Sequence, residues 1–236
     1  DKSSYFSPSA FLSPIIKYDH FDNENTMDLA LKSLKINGAV VIDSFHNEEI
    51  IDEFSNAYKK EFSEIKSLKN IRFNELKLTN ELFKIWLNPW IYKLLSRYYG
   101  MKPYCSNYPE IWHVDTSNSL EKLASNWHID HCSKTGLQHY LHDIKPDCST
   151  TEILLGSHKL PNLPRTFDDY WIRNSGFEIF RLHGKKGSVQ IHDPNVIHRA
   201  GRKIGSSRTS IGTVFSWGEN IKSVSYTHLT LPTSTH

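Results

Sequence analysis

The spacing of apolar positions changes once along this chain, near Gly100. Before it, apolar residues recur at helical intervals. Met27, Ala30, Leu31 and Leu34 fall on one helix face. Asn37-Gly38 ends that run, because glycine readily takes the left-handed conformation that closes a helix. Residues 39–42 then form a short apolar strand. Asn47 is placed to cap a second helix, with Glu48 and Glu49 favouring its first turn. That helix is expected to run to about residue 65, with Ile50, Ile51, Phe54, Ala57, Tyr58 and Phe62 facing inward. A third helix is expected from Pro89, suited to a first helical position, to Tyr99, with Gly100 ending it. Residues 1–25 lack periodicity and read as an extended lead-in.

After Gly100, short alternating or apolar runs are separated by polar turns, at 110–114, 127–130, 138–144, 151–155, 188–192 and 209–217. Short strands repeated in this way predict a sandwich or barrel. The expected fold is mainly β with N-terminal helices: a double-stranded β-helix, or cupin-like jelly roll. It forms one domain over residues 1–223, with a helical lead at 27–100 and the jelly-roll core at 101–217. Residues 224–233 (VSYTHLTLPT) resemble a translated transposase sequencing adapter. Residues 224–236 are therefore expected to be a non-native tail and are left out of the fold reasoning.

Composition adds limits. A chain of 236 residues, 38% of them hydrophobic, can bury one large core. A net charge of +2 implies no nucleic-acid partner. No stretch has the apolar length of a membrane span. Cys105, Cys132 and Cys148 show no C-x-x-C spacing, so they fit a reducing, cytoplasmic compartment rather than a structural zinc site. Oligomeric state is not readable.

The candidate chemistry starts at His128-Ile129-Asp130. Residues two apart on a strand point to the same face, so His128 and Asp130 can grip one metal ion. A third ligand must come from elsewhere, and His198 is the best placed. Two histidines and a carboxylate on one face of an octahedron leave three positions open, as in non-haem Fe(II) oxygenases. Arg208 follows His198 by ten residues and opens an apolar strand, where a guanidinium can clamp a carboxylate through two parallel bonds. Together these four residues suggest a site for Fe(II) and 2-oxoglutarate.

The chain has thirteen histidines, so rivals exist. His192 with Arg202 repeats the same ten-residue spacing. His198 with Arg208 is preferred because Arg202 sits in a glycine-flanked loop, where an arginine is more often a solvated charge. His158 reads as structural. His113, His131, His139, His142 and His183 read as surface or locally hydrogen-bonded. Gln138 and Tyr140 share a strand face, and either line the cosubstrate or pack as ordinary barrel residues. Trp112 and Trp127 read as core.

Several segments resemble the phytanoyl-CoA dioxygenase family of Fe(II)/2-oxoglutarate oxygenases, over most of residues 27–217. They are LKINGAVVI at 34–42, WHID at 127–130, YLHDI at 140–144 leading to LGSHK at 155–159, KGSV at 186–189, and HRAG at 198–201. Leu155 stands where the family has proline. The resemblance implies Fe(II) on His128, Asp130 and His198. It implies 2-oxoglutarate held by Arg208 with the help of Ser210, O2 as oxidant and ascorbate as a supporting reductant. The implied reaction hydroxylates an unactivated C–H bond of a small-molecule substrate, with release of succinate and CO2. Halogenating relatives carry Ala or Gly in place of the metal-binding Asp; Asp130 is present here, so no open halide position is implied. Two alternatives stand: a cupin-type metalloenzyme without 2-oxoglutarate, and a catalytically inactive jelly-roll binding module.

Overall fold

The computed structural model describes residues 12–65, 79–106, 109–115, 126–130 and 134–217. Among the described residues, five helices occupy the N-terminal part: α1 (Asn23–Asn37), α2 (Glu48–Ala57), α3 (Lys59–Ile65), α4 (Asn80–Trp86) and α5 (Pro89–Tyr99). α1 starts at Asp22, whose side chain accepts from the Asn25 N–H. It ends at Gly38 with φ 79°, whose N–H returns to the Leu34 carbonyl. A Cβ at position 38 would lie 2.6 Å from His158 Nδ1, so neither the backbone conformation nor the space admits a side chain. α5 has Pro89 in its first turn and Gly100 in the left-handed conformation at its end.

Three expectations are corrected here. The helix from Asn47 breaks at Tyr58, and Asn47 stands at the cap position without a side-chain capping bond. Ile51, Phe54 and Tyr58 are buried as expected, but Ala57 is exposed. The helix α4 was not foreseen, although Leu82, Ile85 and Trp86 carry helical spacing and Thr79 caps the Leu82 N–H.

Twelve described strands form two sheets. The seven-stranded sheet runs β1 (Ile15–Lys17), β2 (Ala39–Asp43), β10 (Val189–His192), β6 (Lys134–Tyr140), β12 (Ser207–Ser216) and β3 (Tyr104–Cys105), with β4 (Glu110–Asp115) also on β12. The five-stranded sheet runs β8 (Thr166–Phe167), β5 (Trp127–His128), β11 (His198–Ala200), β7 (Thr151–Leu154) and β9 (Ile179–Leu182). A short helix, α6 (Asp169–Asn174), precedes β9.

Period-two alternation sorts the first sheet's faces. Val40, Ile42, Leu137, Val189, Ile191 and Phe215 pack with α1 and α5 in one core. The other face turns to the second sheet. There Ala39, Val41 and Tyr140 meet Ile153, Leu155 and Leu182, and beside them lie the polar residues of the site. None of the described helices is long and apolar enough to cross a membrane. His131, Cys132 and the tail from Val224 lie outside the described residues.

Candidate metal centre

His128 and His198 are register partners on the antiparallel strands β5 and β11. Directly opposed residues project from the same face, and their ring centroids are 4.4 Å apart. The ladder stops at His128, so Asp130 lies past the strand rather than on it. Its path stays extended because Ile129 N–H donates to Arg165 O at 3.0 Å and Asp130 N–H to Pro194 O at 2.8 Å. The carboxylate therefore arrives between the rings. Oδ1 is 3.7 Å from His128 Nε2 and Oδ2 is 3.6 Å from His198 Nε2. One ligand atom from each of the three residues lies within 4.8 Å of the other two.

Backbone carbonyls orient both rings. His128 Nδ1–H donates to Asn126 O at 2.7 Å, and His198 Nδ1–H to Val196 O at 2.9 Å. A carbonyl only accepts, so the proton sits on Nδ1 and the Nε2 lone pair points at the cluster. Metal-binding histidines are held in this way. Charge agrees. Burial alone would raise the Asp130 carboxyl, but the His192, His198 and His128 imidazoles outweigh it and hold the pKa at about 2. Burial, with the neighbouring His192, pushes His198 down to about 3. At neutral pH the cluster thus presents an anion and a neutral imidazole, the protonation states a cation needs.

Arg208 lies on the inner face of β12, 3% exposed. Its Nη1 donates to Thr151 Oγ1 at 3.2 Å, and its Nε has no partner. No ion pair holds it among the described residues, and burial pushes its pKa down. A buried guanidinium without a counter-charge is costly, and a carboxylate ligand would relieve that cost. The surroundings are polar. Ser210 is the register partner of Tyr140, and Gly212 of Gln138. Ser210 Oγ is 3.5 Å from Gln138 Oε1, and Gln138 Nε2 is 3.4 Å from Thr151 Oγ1. The Tyr140 hydroxyl donates to Gln190 Oε1 at 2.8 Å, and burial raises its pKa. The structure thus groups Arg208, Ser210, Gln138 and Tyr140 in one buried layer between the sheets.

The rival histidine is also here. His192 reaches across from the seven-stranded sheet, its Nε2 3.6 Å from Asp130 Oδ2 and its ring 4.5 Å from that of His198. Arg202, expected as a solvated charge, is half-buried, with Nε and Nη1 covered and unpaired. The remaining described histidines serve local contacts: His113 with Thr209, His139 with His46, His142 with the Thr209 N–H and His183 with the Arg181 carbonyl. His158 sits in the turn at Ser157–Lys159, against Gly38.

Thr151 and Gln190 were missed by sequence. Gln190 had a signal, since it alternates with Val189 and Ile191 and so had to face the site. Trp112 is opposite Ser210 and packs on Gly212. Trp127 points to the outer face of its sheet, where the Arg199 guanidinium lies 4.4 Å above its ring. On that outer face Glu152 joins Arg181 at 2.9 Å and Arg199 at 2.7 Å, and Arg199 continues to Asp169.

No family model and no curated protein matches the chain. Solved structures do. AviO1 from Streptomyces viridochromogenes Tue57 superposes with a TM-score of 0.64 at 13% identity, over 80% of this chain and 94% of that one. The epimerase SnoN, solved in complex with Fe3+, alpha ketoglutarate and nogalamycin RO, gives 0.62 at 14% identity, over 81% of this chain and 84% of that one. SnoK, a non-heme alpha ketoglutarate dependent carbocyclase from nogalamycin biosynthesis, gives 0.63 at 18%, over 82% and 85%. At these identities the likeness is one of architecture: the chain shares the fold of these structures.

Proposed function

We propose that the chain is an Fe(II)- and 2-oxoglutarate-dependent oxygenase of the phytanoyl-CoA dioxygenase kind, built on a double-stranded β-helix and hydroxylating a small molecule. One observation carries the reading. His128 and His198 expose Nε2 lone pairs to the Asp130 carboxylate, while a buried Arg208 waits without a counter-ion in the same layer.

In this reading His128, Asp130 and His198 hold Fe(II). Iron and 2-oxoglutarate together would supply the oxidising power: O2 is consumed, the 2-oxo acid leaves as succinate and CO2, and a substrate C–H bond becomes C–OH. The protein does the rest. Arg208 pairs with the far carboxylate of the diacid, and Ser210 adds a hydroxyl donor on the same strand face. Thr151, which anchors Arg208, is the register partner of Ala200, two residues along β11 from His198. Two strand residues span roughly 7 Å, a gap a five-carbon diacid bridges. Gln138 and Tyr140 line the chamber, and the apolar layer of Val41, Ile153 and Leu182 closes it against water.

The test is an anaerobic titration with Fe(II) and then 2-oxoglutarate, followed by the visible metal-to-cosubstrate charge-transfer band. The band should appear in the parent, vanish in His198→Ala, and demand far more 2-oxoglutarate in Arg208→Ala. Bound iron without a band would favour a cupin-type metalloenzyme. Refusal of iron would favour an inactive binding module. Product analysis then separates hydroxylation from other outcomes of the same oxidation.

A further inference from the structure

We propose that His192 is a positioning residue for Asp130: it does not bind the metal but donates Nε2–H to Oδ2, turning Oδ1 toward the ion. This inference rests on the iron-site reading above.

Three imidazoles surround one carboxylate, and their hydrogen bonds divide them into two kinds. The Nδ1 atoms of His128 and His198 face carbonyl oxygens, which forces the proton onto Nδ1 and leaves Nε2 free to coordinate. His192 is wired the other way. Its Nδ1 faces Gln190 Nε2 at 3.5 Å. An amide nitrogen only donates, so His192 Nδ1 accepts and the proton resides on Nε2. A protonated nitrogen cannot coordinate a metal but can donate to a carboxylate.

Gln190 Oε1 lies 2.8 Å from the Tyr140 hydroxyl, which also lies 3.1 Å from the Leu182 carbonyl, and the Gln190 amide nitrogen faces His192. In this arrangement Gln190 donates to His192 and His192 to Asp130. Tyr140, Gln190 and His192 are all buried on the inner face of the seven-stranded sheet. His192 Nε2 has no other hydrogen-bond partner, and Asp130 Oδ2 at 3.6 Å is the acceptor it faces. A small closing movement on metal binding would make the bond.

Stoichiometry argues the same way. A facial triad leaves three positions, two for a chelating 2-oxo acid and one for O2. A fourth protein ligand would remove one of them.

The test uses Co(II) as probe, since its visible absorption reports coordination number and geometry. Parent, His192→Leu, His192→Gln, Gln190→Leu and His198→Ala are titrated, with thermal melting of the metal-free proteins as a check on folding. His192→Leu should bind Co(II) 10- to 100-fold more weakly, the range for lost outer partners, with the spectrum of the parent. His192→Gln, whose amide N–H reaches a similar point, should recover most of the affinity. Gln190→Leu should weaken binding in the same direction, and it carries the test with His192→Gln if His192→Leu does not fold. Unchanged affinity in His192→Leu and Gln190→Leu would overturn the proposal. So would a His192→Leu spectrum altered like that of His198→Ala, which would make His192 a ligand. A parent that binds no Co(II) would overturn the iron-site reading itself.

Discussion

His128 and His198 face each other across a single pair of antiparallel strands, and each ring is tied by Nδ1 to the carbonyl two residues before it. Two residues separated by seventy positions in sequence are thereby held as rigidly as neighbours. Metal should therefore stabilise the whole fold. At a hundredfold excess over its dissociation constant, Co(II) should add about 2.7 kcal/mol. Thermal melting with and without the ion should show the gain in the parent and its absence in His198→Ala.

Arg208 separates stability from function. In the metal-free protein its buried charge lacks a counter-ion. Arg208→Met should leave the apo fold equal or more stable in urea denaturation, because an apolar chain of similar length removes an unpaired buried charge. The same change should weaken 2-oxoglutarate binding by about 2–4 kcal/mol, or roughly 30- to 1000-fold. Isothermal titration of the iron-loaded protein reads the loss.

A second histidine pair makes the fold acid-sensitive. His46 Nε2 and His139 Nδ1 are 3.1 Å apart and buried. Burial pushes His46 down to about 4, and burial with the neighbouring His46 pushes His139 well below its ordinary value. A base with a depressed folded pKa is protonated first in the unfolded chain. Its contribution is complete above pH 6.5 and is lost as pH falls toward 4. From pH 7 to pH 5 His46 alone should remove about 2 kcal/mol. Urea midpoints across this window should slope, and the slope should flatten in His46→Phe/His139→Leu.

Gly38 joins the helical layer to the site. Its φ of 79° and the 2.6 Å approach of His158 Nδ1 to a Cβ leave no room for alanine. The Gly38 carbonyl also accepts from Asp193 N–H at 2.7 Å, next to His192. Gly38→Ala should cost about 1–2 kcal/mol for the left-handed backbone, plus the clash. Chemical denaturation measures the loss.

The sequence made some of this legible and hid the rest for physical reasons. α1 and α5 were readable because each carries an apolar stripe and a terminal glycine. The break at Tyr58 was hidden because the apolar spacing of Ile51, Phe54 and Tyr58 runs through it unchanged. The strands β5, β8 and β11 have two or three residues each, too few to show a period. The H-x-D spacing pointed to shared facing, but the ladder ends at His128, and loop contacts with Pro194 and Arg165 supply the alignment of Asp130. Sequence posed His192 and His198 as alternatives. The structure brings both to Asp130, because β10 and β11 lie in opposite sheets and both turn their histidines inward.

The ion-pair chain from Arg181 through Glu152 and Arg199 to Asp169 lies on the reverse of the strands that carry His198 and oppose Thr151. It braces that wall from the outer face of the sheet. The distances among His128, Asp130 and His198 are thus backed by a network that shares no residue with the candidate metal centre.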